Sequence, residues 1–258
     1  MASNIFENLE IAKLFPLMEA IAEYHDYKVH GLDKLPKTDG ALIVSNHSLA
    51  TYDLALLYFS IYKKTGRFSK PLMDRLFSKI PLLGEFMEAL GARVGDRKTA
   101  LNLLKGENLV AVAPGGMLEA LRPSTEKYQI RWDGRRGFVR LAIQAQKPIF
   151  LAACPQADDL YDVYKSKLTD MAYQLFKVPV PIAAGLAYTI IPKPVALEHH
   201  IEGPFHPPKW SRGAKKLDEM TLEFHHDICQ KMQELMDRTC RKTKKKRVAK
   251  KKSKTTKK

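Results

Sequence analysis

The sequence predicts an α/β fold, a mostly parallel sheet flanked by helices. Two observations carry that reading. Three short apolar runs, at residues 41–44, 109–113 and 149–153, are compatible with strands buried in a sheet. Helical stretches lie between them, one over 54–62, one ending at 102–106 and one over 137–145, and this alternation is the pattern of a parallel layered sheet.

The elements follow in order. Residues 5–24 carry apolar side chains at helical spacing, with Pro16 expected to kink or divide the helix. That helix either covers the core or dips into lipid as an interfacial segment. Residues 27–35 read as a strand ending near Pro36, and 37–40 as a turn. The run at 41–44 leads into Ser45-Asn46-His47 and then a helix, a junction where polar residues face an open cleft. The run at 109–113 is closed by Pro114-Gly115-Gly116, and Lys147-Pro148 stops the helix before the run at 149–153. Segments 186–191 and 195–197 suggest further strands near the end of the sheet. Residues 215–238 form an amphipathic helix with Leu217, Phe224, Ile228 and Leu235 on one side.

Charge and cysteine content limit the function classes. The chain has 258 residues and a net charge of +15. Residues 241–258 hold twelve basic residues and no acidic one, so the rest of the chain stands near +3. Three domains follow: an amphipathic helical segment (1–24), a globular body (25–240) and a basic tail (241–258) expected to be disordered. The tail is open to three readings: a solvated tail, a segment adhering to anionic lipid, or a non-specific nucleic-acid binder. It lacks aromatic residues for base stacking, so nucleic acid is not the expected partner. Cys154, Cys229 and Cys240 form no disulfide framework and no zinc motif, which points to a reducing cytoplasm. No secretory signal opens the chain, and no run reaches the length of a membrane span. The nearest, 178–191, is broken by Pro179 and Pro181.

Three groups could carry chemistry. His47 can take a proton near neutral pH, and Asp53, six positions on, could orient it if one ends a strand and the other opens a helix. Gly115 and Gly116 allow close backbone approach to a ligand, and Glu119 could contact an acceptor hydroxyl or hold the loop. Arg93, Arg97, Arg122, Arg135 and Arg136 are candidate phosphate binders. Ser48 adjoins His47 and no Gly-x-Ser-x-Gly elbow occurs, which argues against a serine hydrolase. The pairs His199-His200 and His225-His226 point to opposite faces where the backbone is extended, with no carboxylate pattern to complete a site, so no metal is expected.

In order, Asn46-His47 with Asp53, Gly91-Ala92-Arg93, Pro114-Gly115-Gly116 with Glu119, and 137–149 resemble the glycerolipid acyltransferase superfamily, which includes the lysophosphatidic acid acyltransferases. The resemblance covers residues 25–205. It departs from the superfamily pattern twice. Five residues rather than four separate His47 from Asp53, and Pro114-Gly115-Gly116-Met117-Leu118-Glu119 replaces a Glu-Gly-Thr-Arg block. Both departures, and Trp132-Asp133-Gly134-Arg135-Arg136-Gly137-Phe138, are similar to the branch of the diacylglycerol acyltransferases and transmembrane protein 68.

The resemblance implies a glycerol-phosphate acyltransferase-like fold and direct transfer of a fatty acyl group from a thioester, acyl-CoA or acyl carrier protein, to a glycerolipid or lysophospholipid hydroxyl. No cofactor beyond that co-substrate is implied. His47 would be the general base, Asp53 its orienting partner, and amides near Gly115 and Gly116 would place substrate or meet an oxyanion. Arg93 and Arg136 would bind phosphates of coenzyme A or lipid. An enzyme of this kind would sit peripherally on an anionic membrane surface from the cytoplasmic side, anchored by the first helix and the basic tail. The rival expectation is a non-catalytic relative that binds lipid or acts as a nucleic-acid adaptor.

Overall fold

The computed structural model describes residues 14–73, 91–164, 182–210 and 213–255. The elements are α1 (Phe15–Tyr24), β1 (Lys28–His30), β2 (Ala41–Ser45), α2 (Tyr52–Thr65), β3 (Ser69–Met73), β4 (Arg93–Val94), α3 (Arg97–Lys105), β5 (Leu109–Val112), α4 (Gly116–Ala120), α5 (Gly137–Ala145), β6 (Ile149–Ala153), β7 (Asp162–Tyr164), β8 (Ile182–Ala184), β9 (Glu198–Phe205) and α6 (Ala214–Thr255). Seven strands form one sheet in the order β1-β9-β6-β2-β5-β3-β4, and β7 and β8 make a separate antiparallel pair. Every neighbouring pair of the large sheet is parallel except β6 with β9.

Alternation along the central strands builds both halves of the core. Leu42, Val44, Val110, Leu151 and Ala153 face one way, toward α3, α5 and the first part of α6. Ala41, Ile43, Leu109, Ala111, Phe150 and Ala152 face the other way, toward Leu57 and Ile61 of α2. Strands β2 and β6 are buried at every position, which is why their sequences read as continuous apolar runs. Strands β5, β2 and β6 run parallel and therefore end on the same edge of the sheet, the edge where ligands lie in open α/β folds.

Several expectations change. Pro16, expected to kink or divide the helix over 5–24, stands at the start of the described part of it. It lies in the first turn of α1, where a missing N–H costs nothing; residues 5–13 lie outside the described ones. The expected strand at 27–35 shrinks to β1, because Gly31 turns the chain at φ +87°, and a Cβ there would lie 2.6 Å from the Ile201 carbonyl oxygen. Residues 186–191 are not a strand: they hold a short helical turn and a bend, with Tyr188 and Ile190 87% and 90% exposed. The strand expected at 195–197 begins instead at Glu198. Its polar sequence, EHHIEGPF, carries no apolar alternation to announce it. The basic tail continues α6 as helix to Thr255; Lys and Arg are good helix formers, and neither Gly nor Pro interrupts 214–255.

Candidate active site

The site is built at the carboxyl ends of β2, β5 and β6. Past β2, the side chain of Asn46 spans to the β6 end: its amide donates to the Cys154 carbonyl (3.2 Å) and its oxygen accepts from the Cys154 N–H (2.9 Å). That reciprocal pair joins two strands just where their ladder stops and sets the start of the His47 loop.

His47 Nδ1 lies 2.9 Å from the Ser48 carbonyl oxygen. A carbonyl only accepts, so Nδ1 carries the proton and Nε2 is the basic nitrogen. Burial pushes the His47 pKa below its ordinary value; the Ser48 carbonyl opposes this and the Arg122 charge adds to it. The ring is therefore neutral at neutral pH, the form a general base requires.

Asp53 is fully buried in the first turn of α2. Its Oδ1 accepts from the Ser48 hydroxyl at 2.7 Å. The contact between His47 and Asp53 thus runs through Ser48, which gives its carbonyl to one and its hydroxyl to the other, rather than directly between the two side chains. Burial raises the Asp53 pKa to about 6, with the Ser48 hydroxyl pulling it back. Among the described residues the other carboxylate oxygen has no hydrogen-bond partner; it lies 4.0 Å from His199 Nε2, which also has none there. His199 is buried on β9, held at Nδ1 by the Tyr27 hydroxyl (2.9 Å), and burial drives its pKa down to about 3. Sequence reasoning did not assign His199 a role at the site, because nothing local places β9 beside the start of α2.

After β5 the chain turns through Gly115 and Gly116 into α4. A Cβ on Gly115 would sit 1.8 Å from Glu119 Oε2, so this position must be glycine for Glu119 to fold under the loop. Gly116 has φ +50° and gives its N–H to the Ala113 carbonyl at 3.1 Å, which removes that amide as an oxyanion donor. Glu119 is buried; Oε2 accepts from the Trp132 indole at 2.9 Å, and Oε1 lies 3.6 Å from the Arg122 guanidinium. Burial lifts its pKa to about 7 against the pull of Arg122, Trp132 and, more weakly, the His47 backbone N–H. That last contact puts Glu119 against the His47 loop.

The five arginines separate by environment. Arg122 is buried, doubly bonded to Asp158 (2.6 and 2.7 Å) and to the Gln129 carbonyl, so it is a structural cation. Behind the loop, Leu49, Glu119, Arg122, Asp158 and Tyr161 line a cavity of about 20 Å³, room for a single water. Arg93 sits on edge strand β4, three strands from β2 and so about 14 Å away across the sheet. Its guanidinium donates to the Ala92 carbonyl at 2.8 Å. Arg97 bonds Gln144 (3.0 Å) on the outer surface. Arg135 and Arg136 are exposed just before α5, and Arg135 reaches within 3.8 Å of the place a Gly116 Cβ would take. His47, Asp53, Gly115 and Glu119 therefore come together, with Arg135 beside them.

Comparison with known proteins identifies the family. A family model described as Acyltransferase matches residues 26–154, half of the chain. A human protein named "DGAT1/2-independent enzyme synthesizing storage lipids" is 36% identical over 128 residues, 50% of this chain and 39% of that protein. Its cattle counterpart is 35% identical over 128 residues, 50% and 38% of the two chains. The chain spans about two-fifths of the length of these relatives. Among solved structures, the 1-acyl-sn-glycerophosphate (LPA) acyltransferase PlsC of Thermotoga maritima aligns with a TM-score of 0.47 and 16% identity, over 83% of this chain and 79% of that one.

Proposed function

The chain belongs to the acyltransferase family, and from that premise we propose that it moves a fatty acyl group from a thioester to the hydroxyl of a glycerolipid or lysophospholipid. The carrying observation is the His47 ring: Nδ1 is committed to the Ser48 carbonyl, leaving Nε2 as base at the carboxyl edge of the sheet. Nε2 takes the acceptor's hydroxyl proton as its oxygen attacks the thioester carbon. The tetrahedral intermediate collapses, the carbon–sulfur bond breaks, and the departing thiolate takes the proton from Nε2. No covalent enzyme intermediate is needed. Asp53 acts by holding Ser48, and Ser48 holds the ring. Glu119 shapes the loop from below. Arg93 and Arg136 are proposed for the phosphates of the donor or of a lipid, with Arg135 added for its position at Gly116.

The acceptor is proposed to be a neutral or phosphorylated glyceride reached from a membrane surface. No helix among the described residues is long and apolar enough to cross a membrane. The segment 186–191 supports surface docking: Leu186, Tyr188, Ile190 and Ile191 are exposed. Tyr161 and Tyr24 donate to the carbonyls of Ile190 and Pro192 (both 2.8 Å), fastening this segment beside α1.

The test supplies acyl-CoA or acyl carrier protein thioesters with lysophosphatidate, monoacylglycerol or diacylglycerol in liposomes. We expect transfer to at least one acceptor and a loss of about 10²–10⁴ in kcat for His47→Ala, with an unchanged circular dichroism spectrum. A folded His47→Ala that retains full activity overturns the mechanism. Silence with every donor and acceptor favours a non-catalytic lipid-binding relative.

A further inference from the structure

We propose that His30, Glu198 and His200 form a binding site for a divalent transition cation on the edge of the sheet. The three side chains come from two strands in fixed parallel register, with His30 paired to His200 and Lys28 to Glu198. Positions 198 and 200 are two apart on β9 and so share a face, and His30 stands opposite His200 on that same face. The two imidazoles lie 4.4 Å apart, centroid to centroid, at 30°. The Glu198 carboxylate oxygen Oε2 lies 3.2 Å from His30 Nε2, within hydrogen-bond reach, and 3.6 Å from His200 Nε2. One ligand atom from each residue falls within 4.8 Å of the other two.

These separations match a metal's requirements. Two bonds of about 2.0–2.1 Å at the tetrahedral angle place neighbouring ligand atoms about 3.4 Å apart, between the two values seen. Two imidazoles and one carboxylate suit zinc, or copper or nickel, rather than magnesium or calcium, which favour all-oxygen sites. His30 is about half-exposed, so the site opens to solvent and leaves a coordination position for water. Lys28, paired with Asp26 at 2.8 Å, is the nearby cation. A bound ion would fasten the three-residue strand β1 to β9, whose other face carries His199 toward Asp53. The adjacent pair at 199–200 thus divides its duties, one ring inward and one outward. The carboxylate that completes the outer set lies two residues away on the same strand.

A second cluster, Asp53, Cys154 and His199, is fully buried and serves as the internal control. The experiment uses the full chain without a polyhistidine tag, stripped with chelator, then titrated with Zn²⁺ by calorimetry and with Co²⁺ by absorption. We expect one equivalent of Zn²⁺ and a Co²⁺ spectrum without a thiolate charge-transfer band. Removing a ligand costs at least as much as removing an outer-shell partner, so His30→Ala and Glu198→Gln should each weaken binding by about tenfold or more. Cys154→Ser should bind as the wild type does. Circular dichroism checks each fold, and His30→Ala, at a half-exposed site, guards against misfolding. Absence of binding, binding unchanged in His30→Ala, or a thiolate band that Cys154→Ser abolishes would each overturn the proposal. The readout is independent of acyl transfer.

Discussion

Ser48 is the residue on which the site's geometry turns. It stands between His47 and Asp53, with its carbonyl against one and its hydroxyl on the other, and under the proposed mechanism it does what a direct His–Asp hydrogen bond does elsewhere. The His47 pKa is depressed by burial, and if His47 is the base as proposed, that sets the acid limb of the pH profile. We expect kcat/KM to fall only below pH 6.5, the ordinary histidine value, and a limb centred above it would contradict a buried neutral base. Two buried carboxylates at the site act on stability with the opposite sign to a surface salt bridge. Asp53 and Glu119 have folded pKa values of about 6 and about 7, above their ordinary values of 3.8 and 4.5. The native state therefore binds more protons than the unfolded chain between each pair of values. Their contribution is complete below the ordinary values and is lost as pH rises through about 6 and about 7. Glu119→Gln, which keeps an acceptor for Trp132, should flatten that decline and be more stable than wild type above pH 7. Urea unfolding across pH 4–8 measures it, and an unchanged slope would show that Glu119 is not the group titrating.

At the level of elements, the site depends on loops that follow strands. The Asn46 clamp fixes the end of β2 to the end of β6, and Gly115 leaves the space into which Glu119 folds. Gly115→Ala would push Glu119 off Trp132 and disturb the His47 loop above it. Overpacking of this kind costs about 1–3 kcal/mol. We expect a lower Tm together with a loss of transfer, measured by thermal unfolding and by the assay in parallel. A fully active, equally stable Gly115→Ala would mean that Glu119 does not need that space.

For the whole molecule, the proposed function raises the question of how a chain without a membrane-spanning helix among its described residues would meet a lipid. Segment 186–191 presents Tyr188 and Ile190 almost bare to solvent. Burying one side chain of that size is worth about 1.5–3 kcal/mol, so Ile190→Asp should reduce partitioning onto vesicles by about tenfold or more while leaving the fold intact. Liposome co-sedimentation reads it, and undiminished binding would move the docking surface elsewhere. Any share carried by the basic C-terminal segment should weaken as salt is raised, because exposed charge is screened within about 10 Å at 0.1 M.

How much of this was legible from sequence varies by element. Apolar runs at 41–44, 109–113 and 149–153 announced β2, β5 and β6, because strands buried on both faces need apolar residues at every position. The turn chemistry after those runs located His47 and Gly115 on loops and Glu119 just beyond the second of them, in α4, and the family resemblance named them. Strands β1 and β9 were misread or missed, since their polar residues become strand only through pairing with each other and, for β9, with β6. The same pairing places His199 behind Asp53 and sets His30, Glu198 and His200 on one face. Local sequence determined the three central buried strands and the loops that follow them, through periodicity and turn propensity. The tertiary structure alone decided that Ser48 stands between His47 and Asp53, that Arg122 is a buried structural cation, and that His30 and His200 stand side by side. Those outcomes depend on which strands lie side by side, and no local propensity encodes that order.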